Sequence, residues 1–217
     1  MIPFRTAEEI AAAIPAAVTH LARRGVIAYP TETIYGFGST TDPVAVDRVA
    51  QIKGRAPGKP FLLLVAGPEM VSSVGLRLPD SAVRLAAAFW PGPLTLVLPG
   101  GERDLPEVLR GPEGGVAVRW TSHPGASALV ATLGSPITST SANRPRESPA
   151  ADGTDVEASF AEDVRTGRLL VFDAGVLLPS PPSTIVDCTG PAARLVREGA
   201  IGARRLRSVL PSLVLGD

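Results

Sequence analysis

Apolar runs of four or five residues recur along this chain, separated in places by helical stretches and in places by links too short to hold a helix. Parallel neighbours need a long crossover, usually helical, whereas strands joined by a short link pair antiparallel. A chain that uses both kinds of connection is constrained to a mixed sheet flanked by helices, an α/β fold of the α+β type, rather than a purely parallel sheet. The strand-like runs are residues 26–29, 61–65, 94–98, 116–119, 137–140, 169–172, 184–187 and 194–196, the last two reading as a pair.

Helix signals fill the intervals. Thr6 with Glu9 forms a capping-box pattern ahead of an alanine-rich stretch. Pro15 inside it implies either a break or a fresh helix with Pro15 in its first turn. Arg23-Arg24-Gly25 reads as a helix C-terminus. Asp42-Pro43 is an N-cap followed by a first-turn proline and opens a helix to about Lys53. A helix from Asp80 ends near Trp90, where Pro91-Gly92-Pro93 stops it. Further helices are expected over 125–133, 156–166 and 203–210. Residues 144–155, rich in Pro, Ser, Ala and Gly, read equally as a flap over a site and as a plain connection.

The 217 residues suffice for a substantial core and are read as a single domain, 1–217. The 21 basic and 21 acidic side chains balance, which excludes a polybasic nucleic-acid coat and an acidic tail. One cysteine, Cys188, forms no internal disulfide, and no Cys/His spacing suits zinc. The early acids of MIPFRTAEEI do not suit a signal peptide. The longest apolar runs, such as residues 61–66, are far too short to span a bilayer. The expected location is the cytoplasm, with no membrane partner.

Rare residue types are unevenly placed. The only lysines are Lys53 and Lys59, the only asparagine is Asn143, and the only tyrosines are Tyr29 and Tyr35. A genome bias toward Arg accounts for the rarity, and a site that resists substitution accounts for the placement.

Five segments could carry chemistry. In residues 29–38, YPTETIYGFG, Thr31, Thr33 and Glu32 crowd into a glycine-bearing turn that suits a small polar ligand. It suits equally a strand–turn–strand whose threonines bond their own backbone. Lys53, Arg55 and Lys59 gather three cations in a Gly- and Pro-bearing helix exit. Cations are favoured there in any case, but a polyphosphate is the natural partner for such a cluster. The P-loop pattern is absent. Residues 139–143, STSAN, end a strand with short hydroxyls and an amide; they suit phosphate oxygens, a ribose, or an ordinary helix cap. The last two are 183–187 with Arg197-Glu198-Gly199, and Arg119, emerging from an apolar strand and able to clamp a carboxylate. With only His20 and His123 and no nucleophile–base arrangement, the chain is poor in general bases. That favours catalysis by positioning and charge neutralisation, as in nucleotidyl transfer.

In this order the segments YPTETIYGFG, IKGRAPGKP, FWPGPLTLVL, VAVR with HP after it, STSAN, and PSTIVD with LVREGAI resemble the threonylcarbamoyl-AMP synthases, the YrdC/Sua5 family. The resemblance runs from about Gly25 to Ile201. It implies a YrdC/RibB-like twisted mixed sheet with helices on both sides and a deep, basic central cavity. It further implies the conversion of L-threonine, bicarbonate and ATP to threonylcarbamoyl-AMP and pyrophosphate. The product would feed the t6A37 modification of tRNA through downstream threonylcarbamoyl-transferase proteins. The signature Lys-x-Arg with Ser-x-Asn falls on Lys53, Arg55, Ser141 and Asn143, placed by the resemblance at the ATP phosphates, with Lys53 and Arg55 catalytic. Lys59, Gly115, Ser148 and Arg197 join them as nucleotide contacts. Thr33, Arg119, Ser139 and Ser183 match threonine-holding positions. Mg²⁺ is expected to travel with ATP, without a metal site of the protein's own.

The chain departs from the family at Leu64, where some members have His, at Thr121 in place of Pro, and at Arg144-Pro145-Arg146 in place of Ser-Gly. Its length resembles the single-domain form. Two rivals stand beside this reading: a binding module whose cavity holds double-stranded RNA or tRNA, and a divergent paralogue acting on another carbamate. Salt-sensitive RNA binding without ATP turnover would mark the first, and competition among amino acids the second.

Overall fold

The computed structural model describes residues 1–55 and 59–216. In chain order the elements are β1 (Ile2–Pro3), α1 (Ala7–Ala22), β2 (Val26–Pro30), β3 (Tyr35–Gly38), α2 (Pro43–Lys53), β4 (Leu62–Leu64), α3 (Pro68–Ser73), α4 (Asp80–Phe89), β5 (Leu94–Leu98), β6 (Val116–Arg119), α5 (Pro124–Leu133), β7 (Ile137–Ser141), α6 (Gly153–Ser159), α7 (Ala161–Arg165), β8 (Leu169–Asp173), β9 (Thr184–Asp187), β10 (Arg194–Arg197), α8 (Ala203–Val209) and β11 (Val214–Leu215). All the strands join one sheet in the order β1-β8-β2-β3-β7-β4-β6-β5-β9-β10-β11. The sheet is mixed, as the connections require. For example, β2 and β8 run parallel across a long crossover, while β2 and β3 are antiparallel neighbours across a short turn.

Alternation along the strands sorts side chains onto two faces. Ala28, Phe37, Leu63, Val118, Leu96 and Val186 face the larger core, together with Val49 of α2, Leu85 of α4, Val156 of α6 and Leu206 of α8. Ile27, Tyr29, Leu64 and Ile137 point the other way, toward Ala13 and Ala17 of α1 and Leu129 and Val130 of α5. Those two helices cover only the half of this face near β2 and β8. From Leu62 of β4 onward the face carries Ala117, Val97 and Ile185, and it opens into a cavity.

The capping box on α1 forms as the sequence demands: Thr6 Oγ1 accepts from the Glu9 amide at 3.2 Å, and Glu9 Oε2 accepts from the Thr6 amide at 3.1 Å. Asp42 Oδ1 caps α2 by accepting from the Val44 amide at 2.9 Å. Pro15, however, neither breaks nor restarts α1. It sits on the exposed side, while Ile10, Ala13, Ala17 and Leu21 bury the opposite stripe and hold the helix continuous. The left-handed residue after α1 is Arg24 (φ 61°), not Gly25. Gly25 is needed for space, because a Cβ there would lie 2.3 Å from the His20 ring.

Residues 35–38 form strand β3, as the strand–turn–strand reading of this segment has it. Gly36 and Gly38 face the Tyr29 ring, and a Cβ at Gly38 would come within 2.7 Å of the Thr138 carbonyl and 2.8 Å of the ring. The expected helix over 156–166 is two helices parted at Phe160, whose ring packs edge-on against Phe37 at 4.8 Å. The 144–155 segment is pinned: the Ala150 amide donates to the Ala142 carbonyl at 3.4 Å and Arg144 Nη2 to the Ser159 carbonyl at 3.2 Å.

Candidate active site

The open half of the sheet face forms the floor of a cavity of about 560 Å³. Eight of the twelve residues that the resemblance assigns to the site line it: Thr33, Arg55, Gly115, Arg119, Ser139, Ser141, Ser183 and Arg197. The first wall is the β2–β3 turn. Thr31 Oγ1 donates to the Ile34 carbonyl at 2.7 Å and accepts from the Thr33 amide at 3.2 Å, the self-bonding expected of a turn threonine. Thr33 instead offers its hydroxyl to Arg119, accepting from Nη1 at 3.3 Å.

Arg119 ends β6 almost fully buried. Its Nε donates to the Gly92 carbonyl at 3.2 Å, and its Nη2 pairs with Glu32 Oε1 at 2.9 Å. Glu32 also accepts from the Ser122 amide at 3.1 Å and from the Thr121 hydroxyl. Burial pushes the Glu32 carboxyl up, but the Arg119 charge and these hydrogen bonds outweigh it and hold the group below its ordinary value.

Opposite lies Arg197, whose Nε and Nη2 donate to the Ser183 carbonyl at 3.2 and 2.7 Å. Burial and the Arg119 charge both lower its pKa. Ser183 Oγ is 2.9 Å from Thr95 Oγ1, a fully buried hydroxyl on β5. Arg55 reaches in from the end of α2, donating to the Pro60 carbonyl at 2.7 Å and to Thr140 Oγ1 at 3.1 Å, with its guanidinium 4.7 Å from the Phe61 ring centroid. Arg194 at the rim pairs with Asp187 at 3.5 Å and Glu113 at 3.8 Å.

Lys53 and Asn143 do not line the cavity; they hold each other behind it. Lys53 Nζ donates to the Ser141 carbonyl at 2.6 Å, the Asn143 carbonyl at 3.0 Å, Asn143 Oδ1 at 2.9 Å and Ser141 Oγ at 3.1 Å. Burial and the neighbouring Arg55 bring its pKa down to about 8. Asn143 Nδ2 turns back to the Glu147 carbonyl at 2.5 Å. Lys59 and Ser148 are exposed and outside the lining. Ala56, Pro57 and Gly58 of the cationic loop lie outside the described residues. Nor do both tyrosines serve the site: Tyr29 lies on the cavity face, whereas Tyr35 points to the other and donates to the Gly175 carbonyl at 2.8 Å.

Sequence reasoning missed Thr95 and Arg194. A lone Thr inside the apolar strand LTLVL was the available signal for Thr95; nothing local marked Arg194. The resulting cavity is graded in charge. Glu32 compensates Arg119, and Asp187 with Glu113 compensates Arg194. Among the described residues, Arg55 and Arg197 meet only neutral acceptors. Such a cavity suits an anion beside a small polar group with its own carboxylate.

Fold and site thus define an α/β protein that gathers cations and short hydroxyls on the open half of a mixed sheet. A family model described as telomere recombination (Sua5, YciO and YrdC) matches residues 19–199, and the chain belongs to that family. It is 38% identical over 184 residues to the threonylcarbamoyl-AMP synthase of Thiobacillus denitrificans, covering 84% of this chain and 94% of that one. The structure of Pyrococcus abyssi Sua5 complexed with L-threonine superposes with a TM-score of 0.87 at 30% identity, over 99% of this chain and 61% of that longer one. Escherichia coli YciO superposes with a TM-score of 0.76 at 28% identity, over 90% of this chain and 92% of that one.

Proposed function

We propose that the protein is an L-threonylcarbamoyladenylate synthase, a nucleotidyltransferase that makes threonylcarbamoyl-AMP and pyrophosphate from L-threonine, bicarbonate and ATP. The observation that carries the reading is the division of one cavity into two receptors. Thr33, Ser139, Ser183 and Arg119 suit an amino acid, while Arg55 and Arg197, free of carboxylates, suit a triphosphate. The kinship with enzymes named for this activity, and with a Sua5 that binds L-threonine, supports it.

In this reading the threonine amine takes up CO2 derived from bicarbonate, with loss of water, to give a carbamate. A carbamate oxygen then attacks the α-phosphorus of ATP, and pyrophosphate leaves. Among the described residues the cavity lining has no His, Lys or Cys to act as a base at neutral pH, so the chain's contribution is to align the two substrates and to neutralise charge on the phosphates. Arg55 and Arg197 would supply donors, and the Gly115 backbone would meet the nucleotide. Lys53, with Asn143, would hold the Ser141 loop against it. Mg²⁺ would arrive on the triphosphate; the lining carboxylates Asp187 and Glu113 both already face Arg194. Losing one such donor costs on the order of a hundredfold in rate. The product would serve the t6A37 modification of tRNA in the cytoplasm through downstream transferase proteins. The test is pyrophosphate release with each substrate omitted in turn. Release that persists without threonine refutes the assignment.

A further inference from the structure

Thr121 and Glu32 do not line the cavity, yet both are committed to Arg119, which does. The Thr121 hydroxyl is fully buried and accepts from the His123 amide at 3.2 Å, so its one proton goes to Glu32 Oε2. The other carboxylate oxygen takes the Ser122 amide at 3.1 Å and Arg119 Nη2 at 2.9 Å. The turn that starts α5 therefore grips both oxygens of Glu32, and the carboxylate has a single orientation. That orientation, with Gly92 on Nε and Thr33 on Nη1, fixes the plane of the guanidinium. A guanidinium has five N–H groups. Nε and Nη1 each make one hydrogen bond and Nη2 is buried against Glu32, which leaves the second N–H of Nη1 for a carboxylate in the cavity that Arg119 lines.

We propose that Thr121 is a positioning residue for the amino-acid substrate: by clamping Glu32 it sets the angle at which Arg119 presents its remaining Nη1 N–H to the substrate carboxylate. The proposal rests on the threonine reading of the cavity. Thr121→Val preserves shape and removes both the donor to Glu32 and the acceptor of the His123 amide, and Glu32 is then held only through Oε1 and can turn about it. Arg119 keeps its charge but loses its aim.

The experiment measures pyrophosphate release by the wild type, Thr121→Val and Thr121→Ser as L-threonine is varied at saturating ATP and bicarbonate. The valine variant is expected to raise KM for threonine about tenfold, the scale of one hydrogen bond to a charged group. Its kcat and its KM for ATP should stay within about twofold of wild type, and serine should restore the threonine KM, because it returns the hydroxyl. An unmoved threonine KM in the valine variant overturns the proposal. So does a parallel rise in the KM for ATP, which would mark general loosening, or a failure of serine to rescue. Should the valine variant not fold, Glu32→Gln replaces it, with the same expected split between the two KM values. A wild type with no threonine-dependent release overturns the functional reading and this proposal with it, whereas an active wild type with an indifferent Thr121 overturns the proposal alone.

Discussion

Replacing Lys53 by Met removes one charge and leaves a side chain of similar length, so the outcome reports on the ammonium. The Nζ lies among four oxygens of the Ser141–Asn143 loop, at 2.6 to 3.1 Å. Its three N–H groups can satisfy three of them at once. Hydrogen bonds from a charged donor contribute about 1.5–3 kcal/mol each. Ser141 and Asn143 are only half-buried, so water recovers part of what is lost. The expected destabilisation is about 3 kcal/mol, or a fall in melting temperature of about 6–12 °C for a chain of this size. Thermal melts followed by far-ultraviolet circular dichroism measure it, and pyrophosphate release measures the consequence. Release should fall on the order of a hundredfold, because the end of β7 that carries Ser139 and Ser141 loosens. A Met variant that melts with the wild type and turns over at the wild-type rate refutes the argument. A variant that melts normally but is inactive refutes the scaffolding role and makes Lys53 a direct substrate contact.

Two further outcomes follow from the same geometry. Because burial and Arg55 draw Lys53 down to about 8, raising the pH through that value strips its proton. The KM for ATP should then rise severalfold through that range, and Lys53→Arg, which stays charged, should lack the inflection. Gly38→Ala would press a methyl against the Thr138 carbonyl and the Tyr29 ring at 2.7 and 2.8 Å. Because a backbone atom cannot yield as a flexible side chain would, a loss of about 2–3 kcal/mol is expected in urea titrations, and an unchanged midpoint would contradict the packing.

Much of the site was legible because its residues announce themselves locally. Arg119 emerges from an apolar strand, Ser139 and Ser141 close one, and Arg55 follows a helix end; all four line the cavity. The tyrosines show where that logic stops. Tyr29 and Tyr35 flank one turn in the sequence, but they leave the sheet on opposite faces, because an even separation in sequence keeps no parity across a turn. Strand β3 was open as one of two readings of the turn. Two glycines in four residues argue against a strand, and only the Tyr29 ring lying over them explains why no side chain fits.

The amino-acid sequence by itself determined the caps of α1 and α2, the proline stop after α4, the mixed character of the sheet and the residue types of the cavity, since each depends on hydrogen bonds or periodicity within a few positions. Tertiary structure alone decided which charges are spent and which are free. Lys53 meets Ser141 and Asn143 across 88 and 90 residues of sequence, and Arg119 meets Glu32 across the sheet from the β2–β3 turn. Those pairings follow from the strand order, which brings β7 between β3 and β4 and sets β6 beside β4. Only that order leaves half of one sheet face uncovered, and the uncovered half is the cavity.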